Sequence, residues 1–385
     1  MNGGTLLNDK TGGVPGPPRA DDGFGAAVAS ADFNNDDLAD LAVGVPGRGG
    51  VSVFYALDRI GRFIDSADLA KPPAVGAFGA ALVAGDFNGD GIADLAVGAP
   101  GTKHEQQSRK PGSIDILFGG PRGLSAANAA RIPEVHDKEQ GFGSRLAAGD
   151  VDRDGRLDLV EGAPSVPSVN NGHLSYCEGG QRGPSRCVDI PDASASGLAV
   201  GDINGDRFAD VVAGDADYID GGGVKVWPGS RSPLSGKAAV ITQRTDGVPG
   251  DLAPGDRFGS DVAIGEVTGD RWRDIVVTAP GDENGAGSVS VIPGSRKGAD
   301  PASAQLADRP SLPGAHFGAA LALLDFDDDD LPEIIVGAAN VKNPDDALWA
   351  YVSHADSGVG PKPEPATGLA ERVSLTEDTP LYIGR

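Results

Sequence analysis

Residues 86–94 read Asp86-Phe87-Asn88-Gly89-Asp90-Gly91-Ile92-Ala93-Asp94. Positions 1, 3, 5 and 9 of this stretch carry carboxylate or amide oxygens, and position 6 is a glycine. Hard cations such as Ca²⁺ take oxygen ligands from alternate positions of a short loop, and glycine permits the sharp turn that such a loop requires. The stretch therefore predicts a calcium loop.

The same spacing recurs in five further stretches, so six loops are predicted. Their side-chain ligands are Asp32, Asn34, Asp36 and Asp40; Asp86, Asn88, Asp90 and Asp94; Asp150, Asp152, Asp154 and Asp158; Asp202, Asn204, Asp206 and Asp210; Glu266, Thr268, Asp270 and Asp274; and Asp325, Asp327, Asp329 and Glu333. The second and third loops are complete. The first and fourth have Asp37 and Arg207 at position 6, where a side chain strains the turn. The sixth ends in the longer Glu333, and the fifth has lost two strong ligands, which makes it the weakest candidate.

A backbone carbonyl at position 7 is an additional expected ligand in each loop. These residues are Leu38, Ile92, Arg156, Phe208 and Leu331, with Trp272 in the fifth loop. Plain Asx-turns without metal are the alternative, because Asp and Asn bond their own backbone. We favour metal, since several oxygen-bearing side chains within nine residues repel one another unless a cation neutralises them. We expect about three to six Ca²⁺ ions, mainly in a structural role.

Phe-Gly pairs mark a repeat that contains each loop. The glycines are Gly25, Gly79, Gly143, Gly259 and Gly318, and one copy without Phe begins at Ser196-Gly197. Their spacings are 54, 64, 54, 62 and 59 residues, which is typical of repeat architectures. The repeats cover approximately residues 23–76, 77–140, 141–194, 195–256, 257–315 and 316–376.

Each repeat contains short apolar runs bounded by Gly or Pro, which predict strands. Four antiparallel strands per repeat form the blade of a β-propeller. We therefore predict an all-β fold and a single domain over residues 1–385, a β-propeller of six or seven four-stranded blades closed by N- and C-terminal strands. The Phe residues of the Phe-Gly pairs are expected to wedge between neighbouring blades.

Composition supports this fold class and excludes others. The chain has 59 Gly and 29 Pro, only 5% of its residues are aromatic, and its formal net charge is −24. Such a charge disfavours nucleic acid and anionic membranes as partners, and no apolar run is long enough for membrane insertion. Six bound Ca²⁺ ions would halve the charge, although an acidic surface kept for solubility is the alternative.

Cys177 and Cys187 lie in strand-like stretches on either side of a turn-rich segment, which predicts a disulfide across a hairpin. Two unpaired neighbouring thiols are the alternative. A disulfide indicates an oxidising compartment. No secretory apolar segment follows Met1, so we expect either an extracellular protein whose signal segment is not in this chain or, if Met1 is the native start, a cytoplasmic one.

Phe-Gly, Asp-x-Asn-x-Asp-Gly-x-x-Asp and Gly-Ala-Pro in this order form the pattern of the FG-GAP repeat. Over about residues 23–352 the chain resembles the β-propeller of integrin α subunits and its bacterial relatives. The fourth repeat departs from the pattern in lacking Phe, and the fifth in its eroded loop. The resemblance implies Ca²⁺ loops on a lower face, between the first and second strands of each blade. It also implies an upper, ligand-facing surface made by the loops from the second to the third strand and between blades.

Polar residues in the predicted upper loops are candidates for ligand binding. They are His104, Arg109, His136, Asp217, Tyr218 and His316. Variable polar loops on a rigid scaffold are typical of binding surfaces, but surface insertions without a role and scattered histidines are the alternatives.

No Gly-x-Ser-x-Gly elbow, zinc spacing or phosphate-binding loop is present in the sequence. The leading hypothesis is a calcium-binding extracellular adhesion module that recognises a protein or carbohydrate on its upper face, as a monomer. The alternative is an enzyme that acts on a small molecule in the central upper funnel. A third possibility is a purely structural module.

Overall fold

The computed structural model describes residues 21–57, 63–70, 77–101, 112–133, 141–165, 172–184, 186–307, 313–325, 330–340 and 348–351. The chain divides into two compact units, residues 5–195 and residues 196–385 with the first four residues.

The first unit contains three four-stranded antiparallel sheets in which neighbours in sequence are neighbours in space. The first sheet is β1 (Val28–Ala31), β2 (Asp40–Val45), β3 (Gly50–Leu57) and β4 (Phe63–Ala70). The second is β5 (Ala81–Gly85), β6 (Asp94–Ala99), β7 (Ser113–Phe118) and β8 (Ser125–Pro133), and the third is β9 (Arg145–Gly149), β10 (Asp158–Ala163), β11 (His173–Glu178) and β12 (Arg186–Asp189).

The second unit repeats this arrangement. Its sheets are β13 (Gly197–Gly201), β14 (Asp210–Asp215), β15 (Gly223–Trp227) and β16 (Ala239–Ile241); β17 (Val262–Gly265), β18 (Asp274–Ala279), β19 (Ser288–Ile292) and β20 (Gln305–Leu306); and β21 (Phe317–Leu324), β22 (Glu333–Ala338) and β23 (Leu348–Tyr351). Single helical turns lie at Ile219–Gly221, Asp282–Gly285 and Pro301–Ser303. Within the described ranges no helix is long and apolar enough to cross a membrane.

The protein is therefore all-β, with the up-and-down four-stranded sheets that form β-propeller blades. Each described sheet matches one predicted repeat. The described part of the sixth sheet has three strands. The terminal strands proposed to close the propeller fall in residues 1–20 and 352–385, outside the described residues, so closure and the choice between six and seven blades stay predictions.

Within each unit the hydrophobic core lies between consecutive sheets, and Phe residues of the Phe-Gly pairs lie in it. Phe78 packs with Val53 of the first sheet and Val97 of the second. The equivalent residues of three later repeats, Phe142, Phe258 and Phe317, are also buried in clusters that join two adjacent sheets. The predicted wedge is thus confirmed at four positions. Phe24, which precedes the first sheet, is only half-buried.

The predicted disulfide is present. Cys177 of β11 and Cys187 of β12 are directly opposite each other in the strand register and are bonded. Because β12 has only four residues, the covalent link supports an outer strand that has few backbone hydrogen bonds of its own.

Candidate metal centres

The six acidic loops occupy one equivalent position in the fold, the connection between the first and second strand of each sheet. Hereafter, the end of each sheet that carries this connection is called the loop end. The second strand begins at position 9 of the loop in every repeat, at Asp40, Asp94, Asp158, Asp210, Asp274 and Glu333.

The carboxylate at position 1 organises the turn in all six loops. In the second loop Asp86 Oδ2 accepts a hydrogen bond from the Gly91 N–H at 2.8 Å, and Asp86 Oδ1 accepts from Gly89 and Asp90. The bond from the position 6 N–H to the position 1 carboxylate is 2.6–3.1 Å long in every repeat. These bonds direct several backbone N–H groups at one carboxylate, so the backbone of the loop curves around the carboxylate oxygen atoms.

The oxygens at positions 3 and 5 are oriented in the same way. Asn88 Oδ1 accepts from the Asp90 N–H at 2.8 Å, and Asp90 Oδ1 accepts from the Ile92 N–H at 2.9 Å. Both bonds recur in the first, third and fourth loops. The side chains predicted as ligands are therefore held close together by their own backbone.

Two residues of each of the first five turns adopt positive φ, and the described part of the sixth turn includes one of these two positions. Position 6 has φ between 65° and 88°, and it is occupied by Asp37, Gly91, Gly155, Arg207, Arg271 and Asp330. The left-handed turn expected there is thus confirmed, including the four loops in which Asp or Arg replaces glycine. Position 4 was not predicted to be special, yet Asn35, Gly89, Arg153, Gly205 and Gly269 have φ between 59° and 77°.

The acid at position 9 differs from the other ligand candidates because it is buried. Asp94 is fully buried, and its Oδ2 accepts from the Phe87 N–H at 3.1 Å. Its Oδ1 accepts from the N–H of Gly119, just after the third strand, at 2.9 Å. The same pair of bonds is made by Asp158, Asp210 and Asp274, with Gly179, Gly229 and Gly294 as the distant donors. This carboxylate therefore links the loop to both the second and the third strand.

Burial sets the acidity of these carboxyl groups. It raises the pKa of Asp94, Asp158, Asp210 and Asp274 to about 6, while their backbone N–H donors lower it. Carboxylates in the same loop add to the rise. Burial also raises the pKa of Asp152, at position 3 of the third loop. A bound cation would favour the ionised form of each of these groups.

The third loop has a geometry that fits Ca²⁺. One oxygen each of Asp150, Asp152 and Asp158 lies within 4.8 Å of the others. Ligands about 2.4 Å from a central Ca²⁺ lie up to about 4.8 Å apart, so these three oxygens suit one ion. Arg156 Nη1 contacts Asp154 Oδ2 at 2.8 Å, which places a positive charge beside the loop.

The fifth loop keeps the turn but not the ligand set. Glu266 accepts from the N–H groups of Gly269, Asp270 and Arg271, as Asp does elsewhere. Thr268 takes position 3, and its N–H donates to Asp274 Oδ2 at 3.0 Å. The loop therefore folds in the same shape while offering fewer carboxylate or amide oxygens, and its weakness as a metal site remains a prediction.

The sixth loop is described in part. Asp325 accepts from the Asp330 N–H at 3.1 Å, and Glu333 and Leu331 are buried. Asp327 and Asp329 lie outside the described residues. The carbonyls of Leu38, Ile92, Arg156, Phe208 and Leu331 stay predicted ligands.

Side chains at position 7 have a role that the sequence did not indicate: some of them pack on the preceding loop. A Cβ added to Gly205 of the fourth loop would lie 2.6 Å from the Trp272 ring of the fifth. Likewise, Arg156 of the third loop lies against Gly89 of the second. Neighbouring loops within a unit are therefore in contact. The glycine at position 4 of the preceding loop, Gly89 or Gly205, was the sequence signal that could have indicated this contact.

The candidate ligand-binding residues are placed only in part. Tyr218 and the exposed Asp217 follow β14, at the end of the sheet opposite its loop end, and Lys225 Nζ lies 4.8 Å from the Tyr218 ring centre. The ring of His316 is engaged with the backbone, since its Nδ1 lies 3.0 Å from the Pro280 carbonyl oxygen. His104, Arg109 and His136 lie outside the described residues.

Comparison with known proteins agrees with the repeat pattern. The FG-GAP repeat family matches residues 78–117, 142–176 and 258–292, and the FG-GAP-like repeat family matches residues 32–97. The matched segments contain the first, second, third and fifth acidic loops.

Two curated relatives and one solved structure illustrate the similarity. The Bos taurus phosphatidylinositol-glycan-specific phospholipase D is 28% identical over 362 residues, which cover 82% of this chain and 43% of the relative. The Mus musculus integrin alpha-X is 36% identical over 154 residues, which cover 36% of this chain and 13% of the relative. The Dos1 propeller superposes with a TM-score of 0.46 at 14% identity, covering 81% of this chain and 64% of that one. The chain thus spans less than half the length of these curated relatives.

Proposed function

Because the chain contains FG-GAP repeats and is similar to integrin α subunits, we propose that it is a calcium-stabilised extracellular binding module that recognises a protein or carbohydrate. The observation that carries the calcium assignment is the common geometry of the first four loops. In each, backbone N–H groups hold oxygens of positions 1, 3 and 5 in one curved loop, and a buried carboxylate occupies position 9.

The proposed ions would act mainly on stability. When bound, Ca²⁺ supplies a positive charge among carboxylates that otherwise repel one another. In the third loop, Asp150, Asp152 and Asp158 are the side chains that would hold it. Because the position 9 residue begins the second strand and its carboxylate bonds the glycine after the third strand, order at the ion would extend into the sheet. A ligand bound only by the folded protein stabilises it by mass action.

The ligand surface is proposed at the ends of the sheets opposite the loop ends. Asp217 and Tyr218 lie there after β14, and the similarity to integrin α subunits supports a recognition role for such loops. We keep His104, Arg109, His136 and His316 as further candidates in this proposal.

Metal analysis and thermal melting test the first half of the proposal. We expect about three to six Ca²⁺ ions per chain after dialysis against calcium, and a clear loss of melting temperature in chelator that calcium restores. The variant Asp150→Asn should remove one ion, whereas the exposed Asp217→Asn should remove none. A metal-free protein with an unchanged melting curve would refute the calcium assignment.

Arrays of glycans and extracellular proteins test the second half. Binding should be weakened by Asp217→Ala or Tyr218→Ala while calcium content and melting temperature stay at the wild-type values. Binding that survives both substitutions would show that these residues are not part of the recognition surface.

An enzyme is the second candidate, and the similarity to phosphatidylinositol-glycan-specific phospholipase D favours it. In that case the chain, or a longer protein that contains it, would release product from a phosphatidylinositol-glycan substrate. Incubation of the purified chain with that substrate, followed by product analysis, distinguishes a catalyst from a binding module. Turnover would replace the binding proposal with the enzymatic one.

A further inference from the structure

An open surface pocket of about 400 Å³ lies in the first unit, between the second and third sheets. It is lined by Phe118 at the end of β7, Ala130 of β8, Asn88 of the second acidic loop, and Gln181 and Arg182 of the β11–β12 hairpin. We call it the hairpin cavity. Its volume is in the lower part of the range of about 300–1,000 Å³ that small-molecule sites occupy.

The walls of the hairpin cavity are preformed. The hairpin is closed by the Cys177–Cys187 disulfide and by a hydrogen bond from the Gly183 N–H to the Gly180 carbonyl at 2.7 Å. Phe118, Ala130 and Cys187 all pack against the same buried cluster between the two sheets. A Cβ added to Gly183 would be 3.2 Å from the Phe118 ring, so hairpin and ring are in close contact. A preformed wall lowers the ordering cost of binding.

The cavity lining combines apolar and polar chemistry. Phe118 and Ala130 are half-buried and apolar, whereas Gln181 and Arg182 are exposed. Among the described residues no carboxylate is within ion-pair distance of Arg182, in contrast to Arg156, whose Nη1 lies 2.8 Å from Asp154. Arg182 therefore offers a planar guanidinium group that matches a carboxylate in a bidentate manner.

A basic residue is a recurring feature of this hairpin. Arg122, Arg182, Arg231 and Arg296 each follow, within three residues, the glycine whose N–H bonds the position 9 carboxylate, and all four are exposed. In a chain of net charge −24, each is a positive group next to an acidic loop. Arg182 lines the hairpin cavity together with Phe118, and the equivalent hairpin with Arg122 packs on the Tyr55 ring.

We propose that the hairpin cavity binds an acidic sugar, such as a hexuronate residue of an oligosaccharide. The guanidinium of Arg182 would bind the sugar carboxylate, the Gln181 amide would hydrogen-bond hydroxyl groups, and the apolar face of the ring would lie on Phe118 and Ala130. This site lies at the loop end of the sheets and is separate from the surface proposed above.

The position of Asn88 couples this site to the second loop. Without a cation, Asp86 and Asp90 place negative charge close to the cavity and repel a sugar carboxylate. A bound Ca²⁺ would offset most of this negative charge, so sugar affinity should rise with calcium occupancy. This coupling, but not the contact with Arg182, rests on the calcium assignment.

Ligand-observed NMR titration of the disulfide-bonded chain tests the proposal, with cellobiouronate as the acidic probe and cellobiose as its neutral counterpart. We expect cellobiouronate to bind more tightly than cellobiose, and Arg182→Gln to weaken it about tenfold or more, as for loss of a charge-assisted hydrogen bond. Arg182→Lys should give an intermediate loss of affinity, because lysine keeps the positive charge but lacks the planar bidentate donor group of arginine. Arg122→Gln, in the equivalent hairpin of the second sheet, is the matched control and should bind as wild type.

Several results would overturn the proposal. They are equal binding of the two sugars, wild-type affinity in an Arg182→Gln protein of normal melting temperature, and tighter binding of the acidic peptide Gly-Asp-Gly than of cellobiouronate. Chelator should weaken the binding of cellobiouronate by the wild type and have little effect on Asp86→Asn. If the protein holds no calcium yet binds cellobiouronate through Arg182, the calcium assignment and the coupling to the second loop are refuted, and the sugar site at Arg182 stands.

Discussion

Replacement of the buried acid at position 9 separates its two roles, as a cation ligand and as a link between strands. In Asp94→Asn, one side-chain oxygen still accepts from Phe87 or Gly119, but the amide nitrogen then faces the other N–H. A buried donor left without an acceptor costs about 1–3 kcal/mol. If the variant also loses its ion, its free energy of unfolding falls by a further ~2.7 kcal/mol at a calcium concentration about 100 times the dissociation constant. The expected loss is about 4–6 kcal/mol in calcium and about 1–3 kcal/mol in chelator.

Asp274→Asn is the matched control, because Asp274 makes the same two strand-linking bonds in the loop with the poorest ligand set. We expect it to lose about 1–3 kcal/mol both in calcium and in chelator. The measurement is urea unfolding of both variants and wild type, in calcium chloride and in EDTA. Equal losses for the two variants in both buffers would refute the role of Asp94 as a cation ligand, and losses near zero would refute the link between strands.

Three further predictions concern pH, the fourth loop and the disulfide. In EDTA the free energy of unfolding should fall as the pH rises from about 4 to about 6. The reason is the raised pKa of four buried carboxyl groups, because of which the folded state binds protons more tightly than the unfolded state in this pH interval. These groups are Asp94, Asp158, Asp210 and Asp274. Calcium should suppress this fall. The free energy of unfolding of the wild type minus that of Asp94→Asn isolates the contribution of one carboxylate. A rise in this difference over the same pH interval would contradict a raised pKa for Asp94. Terbium bound in the fourth loop should emit on excitation of Trp272, which packs on Gly205, so Trp272→Phe should remove most of the emission and Asp202→Asn nearly all of it. Unchanged emission in both would show that the loop is not the lanthanide site. Replacing both Cys177 and Cys187 with Ser should lower stability by about 2–4 kcal/mol and speed amide exchange in residues 186–189, whereas slow exchange there would show that strand pairing alone holds β12.

The repeating part of the fold was predictable from the sequence because local chemistry recurs in register. Each loop places its ligand candidates and its turn residue within nine positions, and six copies set the boundaries of the sheets. The disulfide was predictable for the same reason, since ten residues separate Cys177 from Cys187 across one hairpin.

What was missed depends on contacts between distant residues. The bond from Gly119 to Asp94 joins residues 25 positions apart, and no local pattern indicates it. The packing of Trp272 on Gly205 crosses from one sheet to the next. The hairpin cavity is likewise formed by two repeats together, so its lining residues had no shared motif. Candidate residues in loops of variable length, such as His104 and His136, had no periodic signal that could assign them a role.

The carboxylate at position 9 also defines what a transplantable calcium cassette would be. Residues 86–94 alone contain the oxygens but lack the glycine that fixes one of them. The smallest segment that includes the loop and both backbone donors to Asp94 runs from Asp86 to Gly119, a span of 34 residues that takes in two complete strands. Engineers who move this motif into another β-protein would therefore need to carry the acidic loop together with the hairpin that follows it. In this chain the motif recurs at that larger scale, once in each sheet.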